Sequence, residues 1–548
     1  MCLINKTIGE CLQERAQLDG KRTAVEMGGF HSTFEQMDTF SDFLAVRMNG
    51  EGIGKGTHVG IWSTNSPGWV FTFLALTKIG AVPVLINTCF QDAEMVRVLN
   101  YANVEVLYYG AGCKSIVYRE MIERIRDKTP NMRRFLPIEE NLASPAAVLK
   151  NREELKEKKR NVKPEDPACM IFTSGTTSFA KGVLLSHYSL VNNALAMVRA
   201  MHWGPEDKMC LTVPLFHCFG VTAGIVACVL SGAEMNLIPY FQTSDVWNEL
   251  EKKHCTILNG VPSMFLALIR KPEHQARRAD SLKSGIIAGS PVLPEEYEEI
   301  CGRFSGMHLQ PSYGQTETSP CVTIADWDEP AKTKGGSSGK LIAHVDARIA
   351  DIASGNILGP GCDGEIQVKG YNVMLGYYQL PEATAAAFTP DGWLRTGDIG
   401  HFTEAGELSV TGRLKEIIIR GGENISPREI ENVIRKLPCV EQVRVVGVPA
   451  EVLQEEIAAC IIPRRGYEID ACRILDFLKP RLARYKIPAY ILEFDSFPVN
   501  ACGKIDLKAL QSAAAAMTKG KIRVSNGCAR TEENLKNTRG TNRNFRRA

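Results

Sequence analysis

Short apolar runs alternate with helical patterns through the first part of the chain. We predict a helix over residues 69–78 and a strand over the apolar run at 81–86 that follows it. Such alternation is typical of α/β folds, in which helices connect strands of partly parallel sheets. Because 548 residues exceed the usual size of one compact core, we predict an α/β multi-domain protein.

One apolar segment, residues 211–233, contains no Asp, Glu, Lys or Arg and is long enough to be considered as a membrane span. It also holds Pro214, His217 and Gly220 near its start and two further glycines. We therefore favour a loop that leads into a buried helix over a membrane-spanning helix.

A strand, a turn and a second strand are predicted around residue 175. Apolar residues at 168–172 and 183–185 flank a segment rich in Thr, Ser and Gly. Ser189 is the predicted N-cap of a helix that continues through Arg199.

The pattern changes near Gly412, where we predict a domain boundary. Ser426, Pro427 and Glu429 form a predicted capping box for a helix over 427–437. The other elements predicted in this small α+β domain are strands at 416–420, 442–448, 457–462 and 490–494 and a helix at 471–479. The expected divisions of the chain are an N-terminal domain over 1–411, a C-terminal domain over 412–516 and a disordered basic tail over 517–548. The tail contains nine Lys or Arg and only two Glu.

Composition narrows the classes of partner and compartment. Hydrophobic residues make up 44% of the chain and charged residues 23%, as in ordinary globular proteins, and the formal net charge is only +2. Such a balance predicts no general attraction to nucleic acid, so a charged ligand needs a local site. Seventeen cysteines without CxxC pairs, and a first segment without an apolar signal core, predict reduced buried thiols and the cytoplasm.

The turn around residue 175 is a candidate phosphate loop, because backbone amides at glycines, hydroxyl donors and one ammonium suit phosphate oxygens. An ordinary surface turn is the alternative at this point. The loop is not of the Walker type, since Gly182 follows Lys181. Its candidate nucleotide-binding residues are Thr173, Ser174, Gly175, Thr176, Thr177, Ser178, Phe179, Ala180 and Lys181.

Read with four later segments, this loop resembles that of the adenylate-forming superfamily, which includes acyl-CoA synthetases, peptide-synthetase adenylation domains and firefly luciferase. The loop matches seven of the nine fixed positions of Thr-Ser-Gly-Thr-Thr-Gly-x-Pro-Lys-Gly and departs from them at Ser178 and Ala180. The four other segments that resemble family motifs begin at Tyr313 (YGQTE), Trp393 (WLRTGD), Gly412 (GRLKE) and Pro498 (PVNACGKI).

The resemblance implies a role for each of these segments. Tyr313 is expected to stack on adenine, Thr316 to contact the α-phosphate and Glu317 to hold Mg²⁺, a cation that prefers hard oxygen ligands. Asp398 is expected to accept hydrogen bonds from the ribose hydroxyls. Arg413 is expected to reach the nucleotide and Lys415 to serve as the hinge. Lys504 is the expected bridge between the carboxylate and the α-phosphate during adenylation.

The resemblance also implies the site for coenzyme A and the site for the acid. Gly421, Gly422, Glu423 and Asn424 are similar to the turn that lines the pantetheine tunnel in acyl-CoA synthetases. Gly289, Ser290 and His217 lie in segments similar to those around the acyl group, although His217 in an apolar setting could equally be a packed core residue. The segment at 313–320 is most similar to the acyl-CoA synthetase family member 2 type, which acts on medium-chain fatty acids.

The resemblance thus implies an acyl-CoA synthetase that uses ATP, Mg²⁺ and coenzyme A on a small carboxylic acid, with two αβ lobes, a β-rich lobe and a mobile C-terminal domain. A homodimer is one expected assembly, and no nucleic acid or membrane span is expected. Two alternatives remain: an enzyme that delivers the acyl group to a carrier protein, and a nucleotide-binding regulatory protein weakened in catalysis by Ser178 and Ala180.

Overall fold

The computed structural model describes residues 2–139, 152–173, 180–420, 423–450, 454–482, 486–499 and 505–519. Its α-helices are Ile8–Asp19, Phe34–Gly50, Pro67–Lys78, Asp92–Tyr101, Tyr118–Ile125, Arg152–Asn161, His187–Ala200, Cys218–Gly220, Ala227–Ser231, Thr243–Lys253, Pro262–Arg270, Pro294–Arg303, Ala331–Lys334, Pro381–Ala386, Pro427–Ile434, Ala471–Leu478 and Leu507–Thr518. Short 3-10 turns cover Arg126–Lys128, Pro272–His274, Thr316–Thr318 and Leu414–Glu416.

The largest sheet has nine strands, of which the six central ones run parallel. In spatial order the strands are Lys340–Leu341, Cys321–Ile324, His308–Gly314, Ser284–Ile287, Ile257–Leu258, Lys208–Leu211, Glu234–Leu237, Thr23–Met27 and Phe30–Thr33. Parallel strands end at a common edge, so the segments after Leu211, Ile287 and Gly314 emerge on the same side of the sheet.

A second sheet has seven strands, five of them parallel. The strands are Gly376–Tyr377, Lys181–Ser186, Pro167–Thr173, Val82–Leu85, His58–Trp62, Val106–Tyr109 and Arg134–Pro137. One buried hydrophobic cluster joins the two large sheets, since it contains Val59 of this sheet, Met209 of the first and the helix residues Phe73 and Val191.

Two smaller sheets complete the fold, beside a two-stranded hairpin. An antiparallel sheet of four strands consists of Val345–Ala350, Gly364–Gly370, Leu394–Phe402 and Leu408–Arg413, and the hairpin of Gly112–Cys113 and Ile116–Val117. The C-terminal sheet consists of Glu423–Ile425, Ile418–Arg420, Gln454–Pro463, Val440–Ala450 and Tyr490–Glu493. The C-terminal part has its own core around Val445 and Ile474, so the predicted α/β multi-domain class is confirmed.

Two helices have different N-terminal capping contacts from those predicted. Ser186, not Ser189, caps helix His187–Ala200, and its hydroxyl accepts the Ser189 amide at 3.0 Å. Helix Pro427–Ile434 begins where predicted but without the capping box. The Ser426 hydroxyl instead donates to the Thr411 carbonyl at 2.9 Å, in the neighbouring antiparallel sheet. A tertiary contact thus replaces the local cap that the sequence suggested.

The apolar segment 211–233 forms a loop followed by buried helical turns, as predicted. After Leu211 the chain reaches helix Cys218–Gly220, a π-helical stretch Val221–Val226 and helix Ala227–Ser231. A Cβ at Gly220 would lie 2.3 Å from the Pro214 carbonyl oxygen, so only glycine fits this turn. Within the described residues, every helix is too short or too polar to traverse a bilayer.

Most cysteines of the described segments are free and buried, which agrees with the predicted reduced thiols. Burial raises the pKa of the Cys218 thiol to about 12, as expected for an inert core thiol. The prediction is wrong at Cys472, which is disulfide-bonded. Helix Leu507–Thr518 continues two residues past 516, the last residue expected before the basic tail at 517–548.

The buried His187 leads to a prediction for stability. Burial lowers its pKa from 6.5 to about 4, and its Nδ1 accepts the Ile8 amide at 3.3 Å, which requires the neutral ring. A depressed histidine pKa means that the unfolded chain takes up a proton first as pH falls, so stability is full above pH 6.5 and is lost toward pH 4. We expect a loss of roughly 3 kcal/mol across this window.

Denaturant titrations at several pH values test this expectation, with His187→Asn as the matched variant because its amide oxygen can still accept the Ile8 amide. The free energy of unfolding of the variant should fall less between pH 6.5 and 4 than that of the wild type. Equal losses in both proteins would contradict the assignment of this pH dependence to His187.

Candidate active site

Lys181 begins a strand that is held on both sides. It lies opposite Thr173 across the antiparallel pair Pro167–Thr173 and Lys181–Ser186. On the other side, Val183 pairs with Tyr377, and the Tyr378 amide donates to the Gly182 carbonyl at 2.8 Å. The strands therefore fix both ends of the candidate phosphate loop, whose residues Ser174, Gly175, Thr176, Thr177, Ser178 and Phe179 lie outside the described residues.

The segment from Tyr313 to Glu317 leaves the carboxyl edge of the nine-stranded sheet through a tight turn. A Cβ at Gly314 would lie 1.7 Å from the Pro320 carbonyl oxygen, so the two backbone segments require glycine there. The Gln315 amide donates to the Thr318 hydroxyl at 3.1 Å at the start of the 3-10 turn Thr316–Thr318. This turn positions Thr316 and Glu317 beside strand Lys181–Ser186.

Asp398 is a buried carboxylate with two partners. Its Oδ2 accepts the Tyr313 hydroxyl at 2.8 Å, and its Oδ1 lies 2.9 Å from Nε of Arg413. Asp398 and Arg413 are opposite each other on neighbouring antiparallel strands. Burial raises the pKa of Asp398, while the Arg413 charge and the Tyr313 hydrogen bond act in the opposite direction.

Glu317 contacts a residue that sequence reasoning missed. Its Oε1 accepts the Tyr377 hydroxyl at 3.0 Å, and the Lys181 ammonium lies 4.1 Å from the centre of the same aromatic ring. Burial raises the pKa of Glu317, and the Tyr377 hydrogen bond and the Lys181 charge oppose that rise. Tyr377 lies outside every segment singled out in the sequence, and its local sequence does not indicate these contacts.

Hydrogen bonds bring these groups into one site, because the segment that carries Glu317 is bound to the strand of Asp398 through the Tyr313 hydroxyl at 2.8 Å and the Gln315 side-chain amide at 3.4 Å. The Asp398 charge acts to raise the pKa of Glu317, and the charges of Asp398 and Glu317 both act to raise that of Arg413. Two carboxylates and two cations therefore lie together at the edge where the two large sheets and the antiparallel sheet meet. Such an arrangement suits a ligand with several phosphate oxygens and a hydroxyl-bearing group.

The candidate acyl residues lie at the carboxyl edge of the same nine-stranded sheet. His217 follows strand Lys208–Leu211, and Gly289 and Ser290 follow strand Ser284–Ile287. All three residues are exposed to solvent, so His217 is not a packed core residue. Gly289 has a φ of +84°, and a Cβ there would meet Val261 at 3.2 Å, which favours glycine.

The C-terminal part joins the rest of the fold next to the site. Lys415 lies in the 3-10 turn Leu414–Glu416. This turn follows directly after Arg413. The Arg428 guanidinium donates to the Val410 carbonyl at 2.9 Å across this junction. Only the backbone is described for Lys415, Glu423 and Asn424, while Gly421, Gly422 and Lys504 lie outside the described residues.

A metal ion at this site would depend on few protein ligands. Within the described segments, no three His, Cys, Asp or Glu side chains gather as a cage. Mg²⁺ is usually held by one or two carboxylates together with substrate phosphates and water. Glu317 fits that pattern, because a carboxylate offers about four lone-pair sites and the Tyr377 hydroxyl uses one.

Comparisons with known proteins agree with this fold. The family model described as AMP-binding enzyme matches residues 12–378, and the one described as AMP-binding enzyme C-terminal domain matches residues 429–504. The putative acyl-CoA synthetase YngI of Bacillus subtilis is 35% identical over 92% of this chain and 96% of its own length. The human mitochondrial medium-chain acyl-CoA ligase ACSF2 is 32% identical over 92% of this chain and 86% of its own length.

A solved structure extends the comparison to a nucleotide-bound protein. The crystal structure of ATP-bound MatB from Rhodopseudomonas palustris superposes with a TM-score of 0.82 at 25% identity, covering 94% of this chain and all of that one. Fold and matches together define an AMP-forming acid–thiol ligase. The chain belongs to the AMP-binding enzyme family.

Proposed function

We propose that the protein is an ATP-dependent acyl-CoA synthetase that acts in two steps. In the first step an oxygen of the carboxylic acid attacks the α-phosphorus of ATP, the bond to pyrophosphate breaks, and an acyl-adenylate forms. In the second step the sulfur of coenzyme A attacks the acyl carbon and AMP leaves. The observation that carries this proposal is the convergence of Lys181, Glu317, Asp398 and Arg413 on one edge of the fold.

The charges of these four groups suit the first step. Phosphoryl and adenylyl transfer depend chiefly on alignment and on neutralising the charge that develops on oxygen. We assign Lys181 to the phosphates, Thr316 to the α-phosphate and Glu317 to a Mg²⁺ ion that would supply further positive charge when bound. Asp398 would accept hydrogen bonds from the two ribose hydroxyls, because a fixed carboxylate is a strong acceptor for two neighbouring donors.

The adenine is assigned to Tyr313, whose hydroxyl is fixed on Asp398 at 2.8 Å. This contact places the aromatic ring next to the proposed ribose acceptor, as a base attached to that ribose requires. Burial raises the pKa of Tyr313, so its hydroxyl keeps its proton and remains the donor to Asp398.

We propose that the two domains contribute differently to the two steps. Residues 1–411 would hold ATP and the acid, and residues 412–516 would turn about Lys415. One orientation would present Lys504 for adenylation, and the other would present the turn at Gly421 to coenzyme A. The nearness of Lys415 to Arg413, which contacts Asp398 at 2.9 Å, supports a pivot at the edge of the nucleotide site.

For the acid we propose a medium-chain fatty acid. The human ACSF2 relative carries that substrate class in its name. In this chain, the elements beside His217 are apolar and buried, including Val221 and Ile225 of the π-helical stretch. Lipid metabolism is the corresponding physiological context, and the cytoplasm remains the predicted compartment.

A panel of acids tests the proposed substrate class. Straight-chain acids from two to eighteen carbons, together with branched and aromatic acids, would be compared by CoA-dependent AMP release and by detection of the acyl-CoA product. We expect the highest kcat/KM with straight chains of medium length. A clear preference for aromatic or dicarboxylic acids would overturn the substrate class, and adenylation without any CoA thioester would favour transfer to a carrier protein.

A further inference from the structure

Tyr377 contacts two residues of opposite charge with different parts of one side chain. Its hydroxyl donates to Oε1 of Glu317 at 3.0 Å, and its ring face lies 4.1 Å from the Lys181 ammonium. An ammonium over an aromatic face is attracted by the ring quadrupole, and a hydroxyl donor to a carboxylate forms a charge-assisted hydrogen bond. The ring thus supplies a separate partner to each charge.

The backbone around Tyr377 is fixed on several sides. Its amide donates to the Thr384 hydroxyl at 2.9 Å, and Val183 faces it across the antiparallel pair. The Tyr101 hydroxyl donates to the carbonyl of the next residue, Tyr378, whose ring packs at 4.8 Å against His58. A side chain on such a scaffold has little freedom to follow Lys181 or Glu317 if either moves.

These contacts address a problem that the proposed chemistry creates. A lysine and a glutamate at the edge of a partly buried site attract each other strongly, because the effective dielectric constant there is low. A direct ion pair would occupy the ammonium meant for phosphate oxygens and the carboxylate meant for a metal ion. A neutral group that binds both would keep the two charges apart and available.

We propose that Tyr377 is a positioning residue, which holds the Lys181 ammonium at its ring face and the Glu317 carboxylate at its hydroxyl so that each stays ready for its own part of a metal–triphosphate ligand. This inference rests on the proposed function.

Nucleotide binding by the full chain, measured by calorimetry without any acid substrate, tests this role. Each protein would be titrated with ATP in the presence of Mg²⁺ and with ATP in the presence of EDTA. For Tyr377→Phe, which keeps the ring face but loses the hydroxyl, we expect about tenfold weaker binding of the magnesium complex, equivalent to about 1.4 kcal/mol, because the hydrogen bond to the charged Glu317 is lost. Binding of metal-free ATP should be unchanged. For Tyr377→Leu, we expect both affinities to fall.

Tyr378→Phe is the matched control, because the Tyr378 hydroxyl accepts a hydrogen bond from the side-chain amide of the exposed Gln379 at 3.1 Å. It should bind both forms of ATP like the wild type. The inference is overturned if Tyr377→Phe binds magnesium ATP as tightly as the wild type, or if it loses both forms of ATP equally, as a purely structural defect would cause. The Phe variant decides the matter even if Tyr377→Leu does not fold.

The same titrations separate this inference from the function on which it rests. If the wild type forms acyl-adenylate but the Tyr377→Phe variant shows no selective loss for magnesium ATP, only the role of Tyr377 fails. If the selective loss appears but no acid supports AMP formation by the wild type, the positioning role stands and the synthetase proposal fails. A wild type that does not bind magnesium ATP would overturn both.

Discussion

Replacement of Lys504 by alanine is expected to slow adenylation by about 10²- to 10³-fold, the usual effect of removing one preorganised donor from a developing oxyanion. In the proposed first step, negative charge accumulates on the α-phosphate while a carboxylate approaches it, and an ammonium bridging the two offsets that repulsion. The second step involves a thiol and an acyl carbon, so transfer from preformed acyl-adenylate to coenzyme A should remain near the wild-type rate.

Separate assays of the two half-reactions measure this difference. Lys508→Ala is the matched control, because Lys508 is an exposed lysine four residues further on, in helix Leu507–Thr518. It should leave both steps unchanged. An equal loss of both half-reactions in Lys504→Ala would contradict a role specific to adenylation.

Replacement of Asp398 by alanine is expected to weaken ATP binding by about 100-fold. The proposed ribose hydroxyls would lose hydrogen bonds to a charged acceptor, each contributing roughly 1.5–3 kcal/mol, and a total of about 3 kcal/mol corresponds to two factors of ten. The substitution also removes the partner that holds Arg413 at 2.9 Å and the Tyr313 hydroxyl at 2.8 Å. Arg413 and Tyr313 would therefore be less well placed for the nucleotide.

Asp391→Ala provides a control of similar chemistry in the same region of the fold. Asp391 is also paired with an arginine, Arg348, at 2.6 Å, but it is exposed and lies outside the proposed site. Surface ion pairs contribute little, so this variant should retain the wild-type dissociation constant for ATP. If Asp398→Ala also retained it, Asp398 could not be the ribose acceptor.

Much of the fold follows from local patterns that tertiary contacts leave intact. The strand predicted at 81–86 is Val82–Leu85, and the helix predicted at 471–479 is Ala471–Leu478, because apolar periodicity and burial agree in both. The prediction was wrong where a side chain had two competing partners. At Ser426 the Thr411 carbonyl replaced the capping bond, and no feature of the local sequence reveals that this carbonyl is near.

In the candidate site, too, residues in local motifs could be predicted and a contact formed by the tertiary fold could not. The phosphate-loop lysine, Glu317 and Asp398 stand in ordered motifs with recognisable residue types, so their resemblance to a family could be seen in the sequence. Tyr377 belongs to none of those motifs. Its role depends on the register between strands Lys181–Ser186 and Gly376–Tyr377, which are almost two hundred residues apart in the chain and become neighbours only in the folded sheet.

Acid-dependent exchange between ATP and labelled pyrophosphate tests the central claim most directly, because it requires all the proposed nucleotide groups to act in one site and does not involve coenzyme A. We predict exchange that depends on an added acid such as octanoate, with formation of the acyl-CoA and AMP once coenzyme A is supplied. Binding of ATP without exchange in the presence of any acid would contradict the account and would favour a nucleotide-binding regulatory protein.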